Sequence, residues 1–136
     1  MKSEIPSEKE IIEFLDMNIN GVRLAKKVVA STLVFNGNLK ILLVGNNETG
    51  KTMLLKTLAN NYNNLIYCNL SQGPIPESEG ILLLDEISER TILPDKKIIA
   101  TIVQRCKKFS DIYQAHSYEF LSQFDAIIPM FKEKND

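Results

Sequence analysis

The chain has 136 residues, of which 44% are apolar and 24% are charged, and its formal net charge at pH 7 is -1. This length allows one domain with one apolar core, and the near-neutral charge argues against a protein that charge alone holds on DNA. No apolar stretch is long enough to predict a membrane-spanning helix, and the polar, acidic N-terminus is unlike a signal peptide. Because its two cysteines lack metal-like spacing and suit a reducing compartment, we expect one cytoplasmic domain over residues 1–136.

Two helices are predicted ahead of the first strand. Ser7 and Glu10 have capping-box spacing and precede an apolar run. Residues 22–35 carry apolar side chains at helical spacing, while the Lys26-Lys27 pair within them is interpreted as solvated surface. An Asn-Gly-Asn turn then ends the second helix.

Five short apolar runs follow and are predicted to be buried strands. Their apolar residues are continuous rather than alternating, which favours strands that are covered on both faces, as in a parallel sheet. Further helices are predicted at 51–61, in part or all of 103–115, and at 118–123. The sequence thus predicts an α/β three-layer sandwich around a central, mostly parallel five-stranded sheet, with N-terminal helices in 1–38 and a core in 39–131. The predicted strands are 40–44, 65–69, 81–84, 97–103 and 126–130.

The strongest motif is GNNETGKT, residues 45–52, which meets the phosphate-binding pattern G-x-x-x-x-G-K-[ST] of a P-loop. Its glycines let the backbone curl so that N–H groups face phosphate oxygens, and the positive end of the following helix adds to the attraction. Lys51 is expected to reach the β- and γ-phosphates, and Thr52 is expected to ligate Mg²⁺. The predicted nucleotide contacts are Gly45, Asn46, Asn47, Glu48, Thr49, Gly50, Lys51, Thr52 and Met53.

A second acidic site follows the apolar run 81–84, where the chain continues with Asp85 and Glu86. In P-loop enzymes an acid at the tip of a neighbouring strand helps to hold Mg²⁺, and this is the role predicted for Asp85 together with Thr52. Glu86 is predicted to polarise the attacking water, so Glu86 and Lys51 are the catalytic candidates. Taken alone, the two acids would be interpreted as a solvated turn, and it is the P-loop that favours the functional interpretation.

Other nucleotide enzymes are less consistent with the sequence. A small GTPase would carry the guanine-reading motif N-K-x-D after a strand, and the sequence has none. A small-molecule kinase would carry an arginine-rich lid, but the arginines are limited to Arg23, Arg90 and Arg105. The single histidine, His116, lies in a polar stretch and is expected on the surface rather than in a catalytic site. The sequence leaves ATP and GTP both open, and ATP is the working expectation.

Together these segments resemble the core of the AAA+ ATPases, and within them the minichromosome maintenance (MCM) group, over about residues 19–131. LKILLVGNNETGKTMLLKTLA is similar to their first strand, P-loop and helix, and EGILLLDEIS, residues 79–88, is similar to their second nucleotide motif. KKIIATIVQ resembles their sensor strand, and SQFDAIIPM, residues 122–130, resembles their last core strand. The resemblance implies a P-loop NTPase fold, ATP and Mg²⁺ as cofactors, and a link to DNA replication.

Several positions depart from the family's pattern. The sensor asparagine has no counterpart, and Thr101 and Gln104 are the candidates to replace it. Gln123 stands where the resemblance places an arginine finger, and a glutamine cannot neutralise the charge of a transition state. The intervals after Lys51 and after Glu86 are too short for the family's DNA-contacting hairpins, and no C-terminal helical lid is expected.

These features predict an ATP·Mg²⁺-binding protein of a minimal AAA+, MCM-like kind, whose hydrolysis is weak or depends on a partner. The alternative is a non-catalytic interaction module that docks on another AAA+ protein or on a replication protein. A DNA-translocating helicase is disfavoured by the short intervals and the near-neutral charge, so strong DNA binding is not expected, and neither is a membrane partner. Without an arginine at position 123, the pure protein is expected to be monomeric or weakly self-associated.

Overall fold

A computed structural model describes residues 2–46, 49–104 and 108–130 of the protein. The predicted helices and strands are present there in the predicted order, with bounds that differ by a few residues. None of the helices in these ranges is both long and apolar enough to cross a membrane. In chain order the elements are α1 (Glu8–Asn18), α2 (Arg23–Val34), β1 (Lys40–Gly45), α3 (Lys51–Asn61), β2 (Leu65–Asn69), β3 (Ile81–Asp85), β4 (Ile98–Val103), α4 (Ser110–Ala115), α5 (Tyr118–Leu121) and β5 (Ala126–Pro129).

The five strands form one sheet in the order β2-β3-β4-β1-β5, and each neighbouring pair is parallel. The predicted α/β fold with a central five-stranded sheet is confirmed, and the described sheet is wholly parallel rather than mostly so. β4 lies between β1 and β3, with Gly45 paired to Val103 and Leu84 paired to Ala100. The carboxyl ends of β1 and β3 therefore lie at the same edge of the sheet, one strand apart.

The three longer helices cover one face of the sheet. Successive side chains of a strand point to opposite faces, so alternate residues such as Leu43, Leu83 and Ile99 pack into one apolar cluster with α1, α2 and α3. Ile11 of α1 and Val29 of α2 belong to the same cluster and are completely buried. Amphipathic helices therefore supply the cover that the continuous apolar strands require on this side.

Shorter pieces of chain cover the opposite face. α4 and α5 pack there against the other set of strand residues. Parallel neighbours are usually joined through a helix, but the 70–80 loop between β2 and β3 and the 86–97 loop between β3 and β4 contain none. Instead, Ile75 and Leu93 pack against the sheet from these loops. The architecture is compatible with a three-layer sandwich whose second outer layer is built partly from loops.

Lys26 contradicts the prediction that the lysine pairs lie on a solvated surface. It is only 3% exposed, and its ammonium donates hydrogen bonds to the Ile19 carbonyl at 2.5 Å and to Asp16 Oδ1 at 3.1 Å. A cation at the carboxyl end of α1 complements the unpaired carbonyl groups there. Lys97 plays a similar part at the end of α2 by donating to the Phe35 carbonyl, and burial lowers the pKa of its ammonium.

Candidate nucleotide-binding site

The loop between β1 and α3 has the backbone that its two motif glycines predict. Gly50 precedes α3 with φ at 85°, a left-handed conformation that favours glycine, and no side chain caps the helix at this position. A Cβ on Gly45 would lie 2.7 Å from the Met130 carbonyl oxygen and 2.8 Å from Thr49 Oγ1. Both glycines therefore suit the shape of the loop. Among the described residues no side chain caps the start of α3, and the first amides of a helix are donors that an anion can use.

Lys51 lies inside this loop rather than on the surface. The residue is 4% exposed, and its ammonium donates to the Gly45 carbonyl at 2.7 Å, to the Asn46 carbonyl and to Thr49 Oγ1 at 3.3 Å. The loop's own oxygens therefore hold the cation in place. Asn47 and Glu48, which were also predicted to contact the nucleotide, lie outside the described residues.

Asp85 is the centre of a buried hydrogen-bond network at the carboxyl end of β3. It is 0% exposed, and its Oδ2 accepts from the hydroxyls of Thr52 and Tyr67, both at 2.6 Å, while its Oδ1 accepts from Thr101 Oγ1 at 2.5 Å. Burial alone would raise the pKa of this carboxyl, but the three hydroxyls and the charge of Lys51 lower it below its ordinary value. Asp85 is therefore a carboxylate at neutral pH.

Tyr67 is a member of this network that sequence reasoning missed. It lies on β2, two residues before Asn69, which pairs with Asp85. Because side chains two apart on a strand share a face, the parallel pairing of β2 with β3 is the signal that could have identified it. Burial, the hydrogen bond to Asp85 and the carboxylate's charge raise the pKa of Tyr67 to about 12, so its hydroxyl stays protonated as a donor.

Thr101 of β4 connects Asp85 to the next residue, Glu86. Its hydroxyl oxygen accepts from the Glu86 N–H at 3.0 Å while it donates to Asp85. Glu86 has φ at 56°, a left-handed conformation that is uncommon for a residue other than glycine, and its side chain is exposed. The Glu86 side chain is therefore exposed to solvent at the edge of the sheet where the P-loop lies. The hydrogen bond from its N–H to Thr101 helps to hold the strained backbone in place.

This strain leads to a stability prediction. Glu86→Gly is expected to raise the free energy of unfolding by about 0.5–1 kcal/mol, because glycine adopts the left-handed conformation without steric cost. Glu86→Ala is the matched control, since it also removes the carboxylate but keeps a Cβ in the strained position. Urea unfolding of the three proteins measures the difference, and a glycine variant no more stable than the alanine variant would contradict the prediction.

The two glutamines that depart from the family's pattern lie at opposite ends of the sheet. The Gln104 N–H donates to the Gly45 carbonyl at 3.0 Å, so this residue lies beside the P-loop. Gln123 lies two residues before Asp125, whose backbone and carboxylate pair with Lys40 at the amino end of β1. The length of β1, roughly 17 Å at ~3.3 Å per residue, separates the two ends. Arg105 lies outside the described residues.

Thr52 and Asp85 are the residues suited to a divalent cation. Mg²⁺ bound with a nucleotide uses one or two protein ligands and completes its shell with phosphate oxygens and water, so a hydroxyl and a carboxylate joined at 2.6 Å fit such an ion. The described ranges contain no group of three or more His, Cys, Asp or Glu that could hold a metal. Met53, also predicted to contact the nucleotide, lies in the first turn of α3 and is 56% exposed.

His116 is not the surface side chain that the sequence predicts. Its side chain is 7% exposed, with Nδ1 3.4 Å from Glu89 Oε1 and the ring 5.4 Å from that of Phe120. The physical reason is that the polar stretch around it ends α4, whose other side packs on the sheet. His116 therefore packs against Phe120 of α5.

The predicted site residues of the two motifs come together although they are far apart in the sequence. Lys51, Thr52 and Asp85 meet at the edge formed by β1 and β3, and Glu86 follows directly. A scan of protein-family models and a search of curated proteins gave no match to this chain.

Proposed function

We propose that this protein binds ATP·Mg²⁺ at the carboxyl edge of its sheet and is a minimal P-loop protein of the AAA+, MCM-like kind. The observation that carries the proposal is the 2.6 Å hydrogen bond between Thr52 Oγ1 and Asp85 Oδ2, which joins residues 33 positions apart. The sequence predicts the phosphate-binding loop from its own motif, and it assigns Mg²⁺ to Asp85 because that loop is present. A chance match of either motif gives no reason for their functional atoms to meet.

Different residues of the proposed site bind the phosphates, bind the Mg²⁺ and fix the Asp85 carboxylate. The backbone N–H groups at the start of α3 donate to phosphate oxygens, and Lys51 contributes a positive charge that the loop carbonyls already hold in position. Thr52 and Asp85 would hold Mg²⁺, which neutralises phosphate charge when it is bound. Tyr67 and Thr101 fix the Asp85 carboxylate by hydrogen bonds to its two oxygens.

Hydrolysis is proposed to be weak in the isolated protein. Glu86 is exposed at the same edge and is the candidate to accept a proton from the attacking water. Gln104, beside the P-loop, is the better-placed of the two sensor candidates because Thr101 is occupied with Asp85. Gln123 carries no charge, so efficient turnover requires a cation from another protein, such as another AAA+ or replication protein in the cytoplasm.

Thermal unfolding with and without ATP·Mg²⁺ tests the binding proposal. At a free ligand concentration about 100 times the dissociation constant, bound ligand adds about 2.7 kcal/mol to the free energy of unfolding, which raises the melting temperature by several degrees. Lys51→Ala is expected to remove the rise. Lys27→Ala is the matched control, because Lys27 is an exposed lysine of α2 that lies outside the P-loop and the Asp85 network.

The comparison is made within each variant, because Lys51→Ala changes the stability of the loop itself. A wild-type protein without a shift at millimolar ATP·Mg²⁺ would overturn the site assignment and favour the non-catalytic interaction module. A shift that survives Lys51→Ala would place the nucleotide elsewhere. Parallel measurements with GTP·Mg²⁺ decide between the two nucleotides.

A further inference from the structure

An apolar groove lies between the 70–80 and 86–97 loops, and the proposed nucleotide site does not include it. The groove has a volume of about 540 Å³, within the usual range of ligand-binding clefts, and its apolar lining consists of Ile75, Pro76, Ile92, Leu93 and Pro94. Its other lining residues come directly before β3 and β4. The groove therefore lies toward the amino ends of these strands, away from the P-loop edge.

The apolar part of the groove is both anchored and exposed. Ile75 and Leu93 pack against the apolar cluster of the sheet and form its floor, which keeps the shape of the groove tied to the core. Ile92 is 87% exposed, although it is a large aliphatic side chain in a short loop. An exposed isoleucine beside a preformed apolar cleft, rimmed by polar groups, is typical of a surface that binds another protein.

The rim of the groove carries two exposed acidic side chains. Glu77 and Glu79 line the groove and are exposed, and neither carboxylate has an ion-pair or hydrogen-bond partner in the described part of the chain. Lys96 also lines the groove and donates its ammonium to the Ser78 carbonyl, which leaves its charge in place, so the two carboxylates exceed the cations of the lining by one. Two free carboxylates next to an apolar floor are complementary to an apolar side chain that has a basic neighbour.

We propose that this groove docks a segment of a partner protein that carries an aliphatic or aromatic side chain beside a lysine or arginine. The apolar side chain packs on Ile75 and Leu93 next to Ile92, and the basic residue faces Glu77 and Glu79. The burial of the apolar side chain supplies most of the affinity, and the charges supply specificity. Nucleic acid is excluded as the occupant, because its phosphates would meet two unpaired carboxylates.

Selection from a random library of twelve-residue peptides against the immobilised protein tests this proposal. The selected peptides are synthesised, and their dissociation constants are measured by fluorescence anisotropy. We expect an aliphatic or aromatic residue within about three positions of a lysine or arginine. Ile92→Ser is expected to weaken their binding about tenfold or more. Met17→Ser, at an exposed apolar residue of α1, is the matched control and is expected to bind like wild type.

The contribution of the two carboxylates is tested with the double variant Glu77→Gln, Glu79→Gln. It is expected to bind the peptides several-fold more weakly at low salt and to lose most of the salt dependence of the wild-type protein. Lys51→Ala is expected to bind them unchanged, so a failure of the nucleotide site leaves this result untouched. The proposal is overturned by a selection that yields no binding peptide, by peptides without a basic residue, or by peptides that bind the Ile92→Ser variant as well as wild type.

Discussion

Asp85→Ala is expected to lower the free energy of unfolding by about 3–5 kcal/mol in the absence of any nucleotide. The substitution leaves the hydroxyls of Thr52, Tyr67 and Thr101 without their acceptor, and it removes the carboxylate that faces the buried Lys51. An unsatisfied buried donor such as the Thr101 hydroxyl costs about 1–3 kcal/mol, the part-buried hydroxyls of Thr52 and Tyr67 cost less, and removing one partner of a buried charge network costs about 3–5 kcal/mol. Urea unfolding at neutral pH measures the loss.

Asp95→Ala is the matched control for this prediction. Its carboxylate is 91% exposed and lies 3.8 Å from the ammonium of Lys40, and pairs of this kind contribute less than about 1 kcal/mol. Asp85→Asn, which keeps the shape but replaces one acceptor oxygen by a donor, is expected to fall between the two. If Asp85→Ala costs no more than Asp95→Ala, the buried network does not stabilise the fold, and Asp85 is free for the nucleotide site alone.

The pH dependence of the same carboxylate follows from its lowered pKa. In the unfolded chain an aspartate titrates near ~3.9, whereas in the fold the pKa of Asp85 is lower. Its contribution to stability is therefore fully present above about pH 4 and is lost as the pH falls through the folded-state pKa. The difference in unfolding free energy between wild type and Asp85→Ala should stay constant from about pH 7 to 5 and shrink below about pH 4.

The elements of this fold could be predicted because their signals are local. Continuous apolar runs mark strands that are covered on both faces, and the order of helices and strands follows the chain. The insertion of β4 between β1 and β3 has no local signal, since it depends on which strands pair across the whole domain. The role of Thr101 therefore became visible only with the sheet, although its strand was predicted.

The polar residues of the core were harder to predict than the apolar ones. Lys26 occurs in a lysine pair, and only the position of α1 against α2 shows that its ammonium caps a helix end. Tyr67 resembles any other aromatic residue of a strand until the register of β2 and β3 brings it to Asp85. In both cases the deciding partner comes from another element, whereas the P-loop residues all lie within one short segment.

An arginine supplied in trans is expected to produce the largest change in the activity of this protein. In P-loop enzymes such an arginine raises the rate by about 10³ to 10⁵. Gln123 lies near the amino end of β1, and the P-loop begins at its carboxyl end, roughly 17 Å away. An arginine at position 123 therefore cannot reach the phosphates of its own chain, and it acts only on a neighbour that is arranged head to tail.

Two complementary variants test this arrangement. The double variant Lys51→Ala, Gln123→Arg carries an arginine at position 123 but lacks the lysine of the P-loop motif. The wild-type protein has that lysine but no arginine at position 123. Each is expected to hydrolyse ATP weakly alone. If subunits pair head to tail, a mixture is expected to gain activity that increases with protein concentration, because the pure protein is expected to be monomeric or weakly self-associated. The variant Lys51→Ala, Gln123→Ala is the matched control and should give no gain.

Three further measurements test the base, the position of Gln123 and the source of the cation. Glu86→Gln in the protein that carries the P-loop should abolish the gain, because the attacking water loses its base. A single Gln123→Arg variant that is fully active at low concentration, with no dependence on concentration, would mean that the arginine acts within its own chain and that the position of Gln123 has been misjudged. Rapid hydrolysis by the wild-type protein alone, at concentrations where sedimentation shows a monomer, would show that this chain contains its own activating cation.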